Sequence, residues 1–60
     1  MSRNPTPDEI IAARLSAGIS QEFAANITHC YLNEWQKFEK GSAPMHPAIW
    51  ELFQIKVARL

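Results

Sequence analysis

The sequence predicts an all-α fold, a compact bundle of four to five short helices in one domain. Three observations carry that expectation. Apolar residues recur at spacings of three and four, and no stretch alternates as a strand would. Start and stop signals punctuate the chain, with Thr6-Pro7, Ser20 and Pro47 opening segments and Gly18 and Gly41 closing them. At 60 residues the chain is near the lower limit for a core without staples, but 47% apolar residues, with two Trp and three Phe, supply one.

Residues 1–5 are polar and patternless, a flexible lead-in to a domain over 6–60. Thr6-Pro7-Asp8-Glu9 then opens the first helix: Thr6 caps, Pro7 suits the first helical position, and Glu9 completes a capping box. Ile10, Ile11, Ala13, Leu15 and Ala17 follow at helical spacings, and Gly18 suits the left-handed residue that ends a helix, giving Pro7–Ala17. Ser20 caps a second helix of about two turns, Gln21–Ile27, with Phe23, Ala24, Ala25 and Ile27 as its apolar face. Thr28-His29-Cys30 breaks the pattern. Leu32, Trp35 and Phe38 then recur at i, i+3 and i+6, one stripe of a third helix over 31–40, which Gly41 and Pro44 terminate. Pro44-Met45-His46-Pro47 is a stiff connector, and Pro47 opens a fourth helix. There Ile49, Trp50, Leu52, Phe53, Ile55 and Val57 cover so wide an arc that the helix needs both its own core and a partner chain to pack against.

Composition excludes several classes of function. No apolar run approaches the roughly 18 residues of a membrane span, and no signal-peptide core opens the chain, so a soluble, cytoplasmic protein with no membrane partner is expected. Cys30 has no second thiol to pair with, and one Cys with His29 and His46 is too few for a closed zinc site, so neither metal nor cofactor is expected. Cys30 reads as a small buried filler and the two histidines as surface hydrogen-bonders. No catalytic pairing stands out and a domain this small has little room for a pocket, which argues against an enzyme and a small-molecule substrate. Six basic and six acidic residues give a net charge of zero, the feature least suited to a nucleic-acid partner.

A more specific signal lies in the register of residues across the second and third helices. Arg14, Gly18, Ser20-Gln21-Glu22, Ala25, Trp35, Phe38, Glu39 and Gly41 stand as they do in one known family. Over residues 6–57 the chain resembles the helix-turn-helix proteins of the lambdoid-phage repressor and Cro class (the XRE-like family). Trp35-Gln36-Lys37-Phe38-Glu39-Lys40-Gly41, followed by Met45, Pro47 and Trp50-Glu51-Leu52-Phe53, is similar to a group of short phage or prophage regulators. The resemblance implies a lambda-repressor-like DNA-binding domain whose helix-turn-helix spans 20–41, with small Ala25 where the two helices cross and an interior ion pair between Arg14 and Glu39. It makes 31–40 the recognition helix and maps base-reading positions onto Gln21, Tyr31, Leu32, Asn33 and Lys37. Asn33 and Gln36 carry the amide that pairs with adenine, Lys37 suits guanine or a phosphate, and Leu32 either touches a thymine methyl or completes the core. Backbone contacts fall to Ser20, Lys40 and Ser42. The chain departs from the family pattern at His29, where glycine is usual in the turn, at Tyr31, where a capping hydroxyl is usual, and at Glu34, a negative charge facing the groove.

With Arg14 held inside, one copy offers two or three charged phosphate contacts, each contributing about −0.9 to the salt slope of binding. Two copies double them. The expectation is therefore a homodimer on double-stranded DNA, joined through Trp50, Phe53, Ile55, Val57 and Leu60, although Trp50 suits either core or interface. The expected role is sequence-specific regulation of transcription, as a Cro-like repressor on a short palindromic operator in a bacterial or phage-infected cell. The alternative is a helix-turn-helix-derived protein-interaction module with weak or no DNA binding, which the zero net charge, Glu34 and the apolar fourth helix favour.

Overall fold

The computed structural model describes residues 4–60. Four helices follow one another: α1 (Pro7–Ala17), α2 (Gln21–Ile27), α3 (Leu32–Lys40) and α4 (Pro47–Val57), with no strand among the described residues. Of the expected lead-in, residues 1–3 lie outside the described part. Pro5 is buried, so the folded body begins there.

Each helix end has a local cause. At α1 the Thr6 hydroxyl accepts from the Glu9 amide at 3.2 Å, and the Glu9 carboxylate accepts from the Thr6 amide at 2.8 Å, a closed capping box. Ser20 caps α2 by accepting from the Phe23 amide at 3.1 Å. Thr28 ends α2 with its hydroxyl buried, shared between the Ala24 carbonyl at 2.8 Å and the Ala25 carbonyl at 3.2 Å. His29 then takes a left-handed turn at φ 60°, a conformation that glycine adopts freely. Tyr31 is the cap of α3 rather than its first residue, and its side chain makes no capping bond. Glu34 serves instead, its carboxylate accepting from the Tyr31 amide at 2.9 Å. At α4, His46 Nδ1 accepts from the Ala48 amide at 3.0 Å. Gly41, at φ 83°, closes α3 where a Cβ would lie 3.3 Å from Pro7 Cγ, so the glycine lets the end of α3 meet the start of α1.

The core consists of Ile10, Ala24, Ala25, Trp35, Phe38, Met45 and Phe53. α3 packs on both α1 and α2, and α4 lies against α2. Ala24 and Ala25 let α2 and α3 approach closely, because larger side chains there would push the axes apart. Aromatic rings join α3 to α4. Trp35 meets Phe38 edge-on at 6.2 Å and Phe53 at 5.1 Å, and Phe53 stacks on Trp50 at 6.1 Å. Full burial of rings as large as Trp35 and Phe53 contributes about 2–3 kcal/mol each, a large share of what one small core supplies.

Packing corrects three expectations. Leu32 does not share the inner stripe and is 40% exposed; the buried stripe of α3 is Trp35, Phe38 and Glu39. At 100° per residue, Leu32 lies roughly 60° away from the centre of that stripe. Phe53 cannot line a dimer interface, because it is completely enclosed within one chain between the two tryptophans. Trp50 and Val57 are half-buried against the core, so the exposed members of the expected interface are Ile55 and Leu60. Met45, in the connector, is fully buried and pins the start of α4 to the core.

Relief of the left-handed strain at His29 is measurable. His29→Gly is expected to raise stability by about 1 kcal/mol in urea unfolding, since glycine adopts this φ without a steric penalty. A lower midpoint in the variant would show that the imidazole contributes more than its backbone strain costs.

Candidate functional site

The surface of α3 follows from which of its residues are buried. With Trp35, Phe38 and Glu39 facing inward, Asn33, Lys37 and Lys40 recur at i, i+4 and i+7 on the opposite side, and all three are exposed. Tyr31 and Leu32 are exposed at the head of the helix. Glu34 is exposed too, but its carboxylate turns back to the Tyr31 amide. An acidic residue on this surface thus has a local structural role: it caps α3 where Tyr31 does not.

Beneath this surface lies a buried carboxylate. Glu39 accepts from Arg14 Nε at 2.6 Å and Arg14 Nη2 at 3.2 Å, from Gln21 Nε2 at 2.9 Å and from Trp35 Nε1 at 2.6 Å. Arg14 also donates to the Ile19 carbonyl at 3.1 Å, which ties the α1–α2 connection into the same cluster. No buried side-chain polar atom lacks a partner among the described residues. Burial by itself would raise the carboxyl of Glu39, yet the hydrogen bonds from Arg14, Gln21 and Trp35, with the charge of Arg14, outweigh it and hold the group below its ordinary value.

The expected contact residues therefore fall into two groups. Asn33, Lys37, Lys40, Tyr31, Leu32 and Ser42 are exposed. Gln21 and Gln36 are half-buried and bonded to each other, Gln36 Nε2 donating to Gln21 Oε1 at 3.3 Å. Gln21 is thus not a freely mobile reader, since its amide is held between Glu39 and Gln36. Ser20 already uses its hydroxyl oxygen as the α2 cap and keeps only its O–H for another partner. The two glutamines share a shallow groove of about 360 Å³ with Ile11, Glu39 and Lys40.

Arg14 is neutralised inside the fold, and Arg3 lies outside the described residues. The remaining cations are Lys37 and Lys40 on α3 and Lys56 and Arg59 at the end of α4. Cys30 is half-buried and directs its thiol to the Thr28 carbonyl at 3.6 Å. Among the described residues no cluster of His, Cys, Asp and Glu could hold a metal ion, and no helix is long and apolar enough to cross a membrane. Sequence reasoning missed two donors to Glu39. The i, i+4 spacing of Trp35 and Glu39 was a usable signal for one; nothing local marked Gln21 for the other.

Two expectations follow from the Glu39 cluster. Arg14→Met leaves a buried carboxylate short of its cation and should remove about 3 kcal/mol, most of the margin of a small domain. An unchanged thermal midpoint would show the pair to be dispensable. The pH dependence has a definite sign. Glu39 has a lowered pKa in the folded chain and titrates near its ordinary value of 4.5 when unfolded, so the unfolded chain binds the proton first. The stabilisation is present in full above about pH 4.5 and is lost as pH falls through the lower, folded value. Across that window the stability gap between wild type and Glu39→Gln should narrow; a constant gap would contradict the assignment.

No protein-family model matches this chain, and no curated protein matches it significantly.

Proposed function

We propose that this protein is a helix-turn-helix regulator of transcription that reads a short palindrome in double-stranded DNA as a homodimer, in the cytoplasm of a bacterial or phage-infected cell. The observation that carries the reading is the α3 surface: an exposed stripe of Asn33, Lys37 and Lys40, opposite a buried stripe that fixes the helix against α1 and α2. An amide followed along the stripe by two lysines supplies what groove recognition needs, a group that reads base edges and cations that meet phosphates. Two copies related by a two-fold axis would present two α3 helices to half-sites about one helical turn, ~34 Å, apart. Ile55 and Leu60, exposed near the end of the chain, are the apolar side chains on offer for that pairing. Repression would act by occupancy of the promoter.

One observation favours a second reading, a protein-interaction module. Leu15, Phe23, Tyr31 and Leu32 are also exposed, and α3 carries only two cations, so apolar surface competes with charge.

A duplex-binding titration at two salt concentrations separates the two. Lys37 and Lys40 predict a salt slope of about −2 for one copy and about −4 for a pair. Lys40→Ala should weaken binding to all sequences and reduce the pair's slope by about 2, whereas Asn33→Ala should alter sequence preference and leave the slope unchanged. Absence of any complex at low salt would reject the DNA reading and leave the interaction module.

A further inference from the structure

α1 packs more closely on α3 than on α4, and an open groove of about 340 Å³ remains between α1 and α4. Ala13, Ser16 and Ala17 form one wall, and Gln54, Val57 and Ala58 form the other, over the enclosed ring of Phe53. No charged residue lines it. The exposed side of α1 continues that character. From Ile10 to Ser20 the one charged residue is Arg14, which Glu39 neutralises inside the fold. Past Asp8 the exposed residues of α1 are Ala12, Leu15 and Ser16, so beyond its first turn this helix offers no ion to water. A helix face that stays in water normally carries charged and polar side chains. This one suits being covered: association desolvates no ion there, and alanine has no rotamer freedom to lose.

The chain carries an occupant of its own. Leu60, 67% exposed, stands two residues beyond Ala58 on the groove wall, and Ile55, also exposed, belongs to the same end of α4. One patch therefore holds both a recess and an aliphatic side chain that suits a recess. That is what a two-fold contact requires, since each copy then gives and receives the same group. Zero net charge leaves no overall repulsion between copies. We propose that the face made by α1 and the end of α4 joins two copies of this chain, with Leu60 of each seated in the α1–α4 groove of the other. The proposal rests on the homodimer of the reading above, carries its surface from α4 onto α1, and holds without DNA.

The test uses the full chain without DNA. Sedimentation equilibrium of the wild type should show monomer and dimer in exchange. Leu60→Ser, which removes the aliphatic side chain, and Ser16→Arg, which places a cation on the groove wall, should each raise the dimer dissociation constant by about tenfold or more. Leu32→Ala, at an exposed apolar residue of α3, should leave it unchanged. In a Cys30→Ala background, Ser16→Cys and Leu60→Cys chains mixed and oxidised should form a covalent dimer of the two; this arm stands even if Ser16→Arg fails to fold. A wild type that stays monomeric at millimolar concentration overturns the proposal and leaves the face to a different protein. So does a dimer that either substitution leaves as strong as before, or one that Leu32→Ala disrupts instead. A dimer whose mixed cysteine chains do not cross-link overturns the seating of Leu60 against α1. A dimer with the expected sensitivities that recovers no duplex from random-sequence DNA upholds the proposal and rejects the DNA reading. A wild type that binds a duplex yet is monomeric in solution does the reverse.

Discussion

A carboxylate stays ionised inside a protein only if donors surround it, and in this chain those donors come from three separate helices. Arg14 reaches Glu39 from α1, Gln21 from the start of α2, and Trp35 from one turn earlier in α3. Helix packing by apolar contact alone tolerates small slides and rotations, whereas bonds of 2.6–3.2 Å to one carboxylate do not. The cluster therefore sets the relative placement of α1, α2 and α3 more sharply than seven buried apolar residues could alone. Its net contribution to stability is a different matter, because removing ions from water offsets much of what their attraction returns. Its value here lies in geometry.

The same constraint shapes the surface above it. By turning Trp35, Phe38 and Glu39 inward, it turns Asn33, Lys37 and Lys40 outward. It also reaches the solvent side through amides, from Glu39 to Gln21 to Gln36. α4 is attached differently, through a run of rings from Phe38 and Trp35 to Phe53 and Trp50 and through buried Met45. A small domain thus divides its cohesion between a polar cluster that aligns three helices and an aromatic contact that docks the fourth.

The acidic residues illustrate how local chemistry resolves an apparent conflict. Glu34 is exposed on the outer face of α3, yet its carboxylate is not free, since it accepts from the Tyr31 amide at 2.9 Å. Tyr31, lacking a short hydroxyl side chain, gives the first-turn amides of α3 no side-chain acceptor, and Glu34 supplies the other half of a capping box by accepting from the Tyr31 amide. His29, by contrast, holds a left-handed φ of 60° that glycine would adopt without strain.

What the sequence determined by itself is local. Thr6, Ser20, Pro47, Gly18 and Gly41 mark the helix ends because capping and left-handed backbone depend on a few neighbouring atoms, and the bounds of α1 and α2 were legible to the residue. The pairing of Arg14 with Glu39 was legible only through family resemblance, since no local rule links residues 25 apart in the chain. Tertiary structure alone decided which apolar residues lie inside. Leu32 and Leu15 match helical periodicity yet face solvent, while Met45, in no helix, is buried. Periodicity defines a face of a helix, but only neighbouring helices decide how wide a strip of that face they cover. That is why Phe53 belongs to the core rather than to a partner, and why Gln21 and Gln36, two polar residues on separate helices, meet over a carboxylate that neither helix could have placed alone.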